Sequence, residues 1–503
     1  MIFGSYCSEG WIKLANFLSE KINNTIEKIA FILLNILVAD LCIFGAGRLL
    51  EFGPLTFRMV LLLVLFAVCI PLFIRDYKSL LKSNYVWAIL IFGLLVVVST
   101  VVGAINNNRI NLIATDIKGF VYFAFLPCVV VLINSYKKIV ILAKTCMYAA
   151  AIQGLTHIVY ICLYISNVPW LETFSRFCDE RRFFYVSYRI SDVNVRVSFL
   201  SSICLLLGVV FSIYFGIKAT SKLCKIIYPV ITAICGFSLL MSYTRSVFLA
   251  VGVTVLGLLV FLLIRASKKE RYALLIHILI TLIVFSIIIA GFNIKTGENY
   301  FTYALSRTFI GIDFIENLFN PDDEGNKQPS GDVNKEPEGT ETTEPDETIP
   351  DGPTVDEPVP PDDKDSFYQN TVTSDSLRAL TVGELVTNIK KSPIIGLGLG
   401  AEIASRPDGL NEYFFLDLFS KMGIIGLVCY LSPLVFMLIQ LVQLYRKKHK
   451  HFLLTLTWFC VLLGLVAYSY FTPCMNSSVG IMAYCCIIAV FEFYRKSQIN
   501  LED

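Results

Sequence analysis

Apolar runs of about 20 residues recur along almost the whole chain, and they leave one kind of fold open. A run of that length crosses the hydrocarbon of a bilayer as an α-helix, because a helix satisfies its own backbone hydrogen bonds where no water can. Twelve spans are expected on this test, near 29–47, 54–74, 84–104, 118–134, 139–165, 197–217, 226–242, 246–264, 272–292, 423–444, 452–471 and 478–494. The predicted fold is all-α, a polytopic integral membrane protein with about twelve transmembrane helices. Of 503 residues 16% are charged, against roughly 25% in soluble domains, so the two or three soluble domains that the length would allow are excluded. The net charge of +2 comes from charges segregated along the chain and gives no reason to expect nucleic acid as a partner. Most of the fifteen Cys lie inside the spans and read as small buried hydrophobes. Only Cys178 and Cys474 fall in segments expected on the outer side of the membrane, which leaves one disulfide open. No cleavable signal pattern is evident: Glu9, Lys13, Glu20 and Lys21 are spread through an amphipathic stretch.

The basic residues set the orientation. Arg75, Lys78 and Lys82 share one connection, and Lys137 with Lys138 the next on that side. Lys218, Lys222 and Lys225 follow, then Arg265, Lys268, Lys269 and Arg271, then Arg446, Lys447, Lys448 and Lys450. Alternate connections carry the excess, so these are expected in the cytoplasm together with both termini, in the inner membrane. Three parts result. An N-terminal bundle of about nine helices covers 1–292, an outer loop 293–422, and a C-terminal part of about three helices 423–503. Within the loop, 321–365 is acidic and Pro-rich with no aromatic residue, the composition of a disordered spacer. Residues 374–422 read as amphipathic helices. Leu377, Leu380, Leu385, Val386 and Ile389 recur at helical spacing, Ser374 or Asp375 is the expected cap, and Pro393 the stop. The Gly396-Leu397-Gly398-Leu399-Gly400 run permits a tight turn. A second amphipathic piece, 411–422, is expected to run unbroken into the next span.

Arginine on the outer side is the main pointer to chemistry. Arg245 joins two spans within Ser242-Tyr243-Thr244-Arg245-Ser246, Arg189 and Arg196 precede the sixth span, and Arg378 lies in the loop. Each alone can be an interfacial arginine that snorkels to headgroups. Together they suit a phosphate-bearing, membrane-anchored substrate, whose oxygens a planar guanidinium grips in pairs. A general base for transfer to a hydroxyl would stand nearby. His157 and His277 fall in spans, and His449 and His451 on the cytoplasmic side, so a carboxylate is required. Glu412 is best placed; Tyr413, Phe414 and Phe415 are expected to desolvate it and raise its pKa. Its bland alternative is an interfacial acid at a helix start. Asp417 is the second choice of base, while Asp40 and Glu492 read as acids with local partners. No outer cluster has metal-ligand spacing, and no cofactor is expected.

Four of these elements resemble the O-antigen ligase and Wzy-type polysaccharide polymerase superfamily, integral-membrane glycosyltransferases. Ser242-Tyr243-Thr244-Arg245-Ser246 resembles its Ser/Thr-x-Ser/Thr-Arg element. Ser376-x-Arg378, with Pro393 through Gly398 further on, resembles its arginine helix and Pro-x-x-Gly-x-Gly turn. Asn411-Glu412-Tyr413 before Gly423-Ile424-Ile425-Gly426 resembles its His-Asn element, and Arg189-Ile190-Ser191 its other outer arginine. The resemblance implies an undecaprenyl-pyrophosphate-linked glycan donor and acceptor, no metal, and catalytic roles for Arg245, Arg378 and Glu412. Arg189, Arg196, Asn411 and Tyr413 would bind substrate. Where ligases carry a histidine this chain has Glu412, which favours a repeat-unit polymerase for surface polysaccharide (O-antigen, capsule or exopolysaccharide). The alternatives are a ligase-like transferase or an exporter of lipid-linked oligosaccharide. A flippase and a chain-length regulator are the partners such an enzyme implies, besides membrane lipid.

Overall fold

The computed structural model describes residues 3–45, 51–52, 55–180, 202–297, 364–407 and 411–502. Helix α1 (Phe3–Phe44) joins the amphipathic N-terminal stretch and the first apolar run into one rod. Two-residue strands β1 (Glu51–Phe52) and β2 (Leu55–Thr56) pair antiparallel before α2 (Phe57–Leu81) and α3 (Asn84–Ile105). Thr56 and Ser83 cap these two helices, each accepting from a backbone N–H three residues on. Helix α4 (Ile110–Phe120), a 3-10 turn (Val121–Phe125) and α5 (Leu126–Leu132) make one span, which begins before the expected residue 118. There follow α6 (Tyr136–Ile165), α7 (Leu171–Glu180), α8 (Cys204–Lys218), α9 (Lys222–Leu240), α10 (Arg245–Arg265) and α11 (Lys268–Thr296). The last four are α12 (Lys364–Lys391), α13 (Phe414–Arg446), α14 (Phe452–Ser469) and α15 (Ser478–Glu502).

Ten segments among the described residues are long and apolar enough to cross a membrane, and α8 is a shorter apolar helix. The protein is an all-α polytopic membrane protein, as the apolar runs require. Burial separates its helices into layers. In α8 every residue from Cys204 to Ile217 is buried, packed by α6, α9, α11 and α14. The apolar window of α15 is 83% buried and that of α11 only 11%, so α15 is a core helix and α11 offers its Leu and Ile side chains to lipid. Cys178 and Cys474 are both buried and free, so the disulfide left open by the sequence does not form.

The basic connections gather at one end of the bundle. Glu27 pairs with both Arg75 and Lys138, the Tyr136 ring stacks 3.7 Å from His451, and Lys218 pairs with Glu270. Asp40 pairs with Arg58 and Glu492 with Arg495, as local-pair acids should. Arg189, Arg196 and residues 321–363 of the spacer lie outside the described residues, while its last two residues, Lys364 and Asp365, are helical at the start of α12.

Candidate functional site

The site is built on a glycine turn wedged between two helices. Pro393 follows the end of α12, and Gly396, Gly398 and Gly400 all take positive φ (+82°, +86° and +75°). At Gly398 a Cβ would overlap Gly103 of α3, so neither the backbone angle nor the space admits a side chain. The turn fills a gap in α13. Gly423 (φ +65°) breaks that helix, and the freed carbonyls of Ser420 and Lys421 accept from Leu397 N and Gly398 N at 2.9 Å each. Piece 411–422 therefore does not run unbroken into the span: the helix ladder yields there to hydrogen bonds with the turn. On the other flank Leu399 N donates to Ser99 O of α3, and Asn108 Nδ2 to Leu397 O and Leu399 O.

Helix α12 begins at Lys364, ten residues before the expected Ser374 cap. No Gly or Pro interrupts Lys364 to Arg378, so the cap residues sit inside the helix and Arg378 lies mid-helix. The buried stripe is Thr381, Leu385 and Asn388, with half-buried Arg378 preceding it on the same face at helical spacing. Leu380, expected on the apolar face, is exposed. Along this stripe α12 grips the loop that follows the turn: Thr381 bonds Ser405, Glu384 accepts from Ser405 N and Oγ, and Asn388 donates to Glu402 O. The Ser405 hydroxyl holds the Glu384 carboxyl below its usual range. Arg109 pins the loop from the other side, pairing with Glu402 and donating to Pro407 O at 2.6 Å. Its guanidinium depresses the Glu402 pKa.

Between these anchors two guanidiniums converge on Glu412. Arg378 Nε donates to Oε2 and Arg406 Nη2 to Oε1, both at 2.8 Å. The three side chains are 37%, 27% and 30% exposed in the order Arg378, Arg406, Glu412, so the cluster opens to the surroundings. The aromatic cage expected around Glu412 is replaced by cations. Tyr413 and Phe414 start α13 and turn inward, Tyr413 into a cluster with Leu385 and Ile403.

Beneath the carboxylate lies a buried ionic network. Lys421 Nζ stands 3.0 Å from Asp116 Oδ1 and 2.9 Å from Asp417 Oδ2. Asp116 Oδ2 accepts from Gly400 N at 2.8 Å, and Asn411 Nδ2 donates to Asp417. Asp417 is thus an ion-pair partner of Lys421, and Asn411 its donor. Arg245 starts α10 and is half-buried; its neighbour Ser246 bonds Thr472, one residue after Phe471, which packs on Tyr413. Of the singled-out residues, Arg378 is in direct contact with Glu412, and Asn411 with Asp417. Arg406, Asp116 and Lys421 were missed, although Arg406 meets the same outer-arginine criterion as Arg378. Among the described residues no three His, Cys, Asp or Glu side chains gather as metal ligands would.

A family model described as O-antigen ligase matches residues 230–431. Over that stretch the chain is similar to the O-antigen ligase/Wzy family. No curated protein matches the chain. The matched stretch runs from α9 to the middle of α13 and takes in Arg245, Arg378, Arg406, Glu412 and Lys421, while Arg109 and Asp116 lie before it. A member of this family is a membrane enzyme of glycosyl transfer that works on lipid-linked glycan.

Proposed function

We propose that this chain polymerises undecaprenyl-pyrophosphate-linked repeat units of a surface polysaccharide at the outer face of the cytoplasmic membrane, with both termini inside. The observation that carries the reading is the carboxylate of Glu412 set among outer arginines. Arg245 and Arg378, with Arg189 and Arg196, hold the donor's diphosphate. A hydroxyl oxygen of the incoming unit bonds to the donor's anomeric carbon as the bond from that carbon to the diphosphate oxygen breaks. The electron pair leaves on the diphosphate, whose charge the guanidiniums stabilise as it develops. Glu412 takes the hydroxyl proton. No metal is required in this scheme, because arginine supplies the positive charge. Asn411 and Tyr413, buried on either side of Glu412, hold it in register with the bound glycan. A flippase would deliver the units and a chain-length regulator would limit the product. The description of the matching family favours one second reading, a ligase that moves finished glycan to another acceptor.

Purified enzyme given lipid-linked repeat units tests this. Wild type should build a ladder of products, and Glu412→Gln should lose on the order of 10²–10⁴ in rate, the usual worth of a general base. A single transfer to an unrelated acceptor, with no ladder, would establish the ligase instead. Full-rate ladders from Glu412→Gln would remove Glu412 from the chemistry.

A further inference from the structure

We propose that Arg406 is a further phosphate-binding cation of this site and that Glu412 is its resident counterion, exchanged for the donor's diphosphate when the donor enters. The proposal rests on the reading above that the donor carries a diphosphate. Arg378 on α12 and Arg406 on the loop come from different elements, yet they meet at the two oxygens of one carboxylate, each at 2.8 Å. A phosphate offers the same guanidiniums a pair of oxygens and more charge. All three side chains are partly open, so a headgroup can reach them. Arg406 Nε is buried and has no hydrogen-bond partner among the described residues. A buried donor without an acceptor is a standing cost.

Arg406 is also held in place before any ligand arrives. Ser405 before it is bonded by Glu384 of α12, and Pro407 after it by Arg109. A cation fixed in this way needs no reorganisation to meet charge. Glu412 is differently placed: each of its two oxygens is already engaged by a guanidinium. Displacement by the diphosphate frees those oxygens. The order of events follows: the base becomes available only once the donor is seated, so a proton is not withdrawn from an acceptor that has nothing to attack.

The test is calorimetric binding of inorganic pyrophosphate to the purified full-length protein in detergent, with thermal unfolding of each variant as a control for folding. Wild type should bind. Arg406→Ala should bind about tenfold more weakly, the loss of one charge-assisted contact, and Arg406→Lys should fall between. Glu412→Gln removes the competing charge and should bind about tenfold more tightly, an effect that a merely structural role for Glu412 does not produce. Wild-type affinity in Arg406→Ala, or affinity in Glu412→Gln no higher than wild type, would overturn the exchange. If Arg406→Ala fails to fold, Arg406→Lys and Glu412→Gln still decide. Pyrophosphate binding needs no glycan acceptor, so this result stands or falls apart from the ladder assay.

Discussion

Replacing Lys421 by Met should unfold this protein far more readily than its position at a helix break suggests. The ammonium is 4% exposed and stands between two carboxylates, at 3.0 Å from Asp116 and 2.9 Å from Asp417. At an effective dielectric constant of about 20, each of those pairs is worth roughly 5 kcal/mol of Coulomb attraction. Most of that gross figure is offset by the cost of taking three ions out of water. Deleting one partner of a buried pair costs about 3–5 kcal/mol net, because it strands the other partner's charge; here two charges are stranded. The assay is denaturant unfolding in detergent, followed by the fluorescence of the four tryptophans. Lys421→Met should lower the midpoint by an amount equivalent to about 3–5 kcal/mol. The triple variant Lys421→Met, Asp116→Asn, Asp417→Asn should recover most of the loss, since neutral amides keep the bonds to Gly400 and Asn411 without stranded charge. A wild-type midpoint for Lys421→Met would refute the argument, and so would a triple variant less stable than the single one.

Two further outcomes follow from geometry and charge. Gly398→Ala and Gly297→Ala both force a side chain into positive φ, but Gly398 abuts the Gly103 backbone and Gly297 faces open space. Gly297→Ala should cost about 1–2 kcal/mol in unfolding, and Gly398→Ala clearly more; equal costs would show that the turn is not locked against α3. A cysteine placed at Ser330 should react with a membrane-impermeant reagent in cells whose outer surface is accessible, and one at Lys448 should not; the reverse pattern would invert the orientation and the proposed function with it.

Helices were legible in the sequence because period and length are local properties, and so was the glycine turn, whose three positive φ values only glycine adopts freely. The start of α12 was misplaced because Ser374 and Asp375 are good caps, yet a cap is worth only about 1 kcal/mol and yields when no breaker follows it. The break at Gly423 depends on the turn's N–H groups, supplied some 25 residues earlier in the chain, and no window on 411–446 contains them. Asp116 and Lys421 are 305 positions apart, so their pairing has no local signal at all. Arg406 is a different case. It lies in the same connection as Arg378, within Ser405-Arg406-Pro407, and its guanidinium suits a pair of phosphate oxygens as well as that of Arg378 does.

The network around Lys421 explains how the proposed site, although on a loop, can be exact enough for glycosyl transfer. Arg406 and Glu412 both sit between Gly400 and Asp417. At the first end, Gly400 N donates to Asp116, which pairs with Lys421; at the second, Asn411 bonds Asp417, which pairs with the same Lys421. One ammonium therefore closes both ends of the loop from beneath, while Arg109 and α12 hold its outer side. A buried ion group adds little net stability over a neutral one of the same shape, so stability is a weak reason for three charges to lie here. Direction is a stronger one: a charged pair at 3 Å fixes distance and angle more tightly than an amide contact, and misplacing a catalytic group by about 1 Å can cost about 10² in rate. The triple amide variant separates the two effects. It should fold nearly as well as wild type yet build its ladder on the order of tenfold more slowly, because the loop between Gly400 and Asn411 has lost its common anchor. A triple variant with both wild-type stability and wild-type turnover would mean that Lys421 positions nothing.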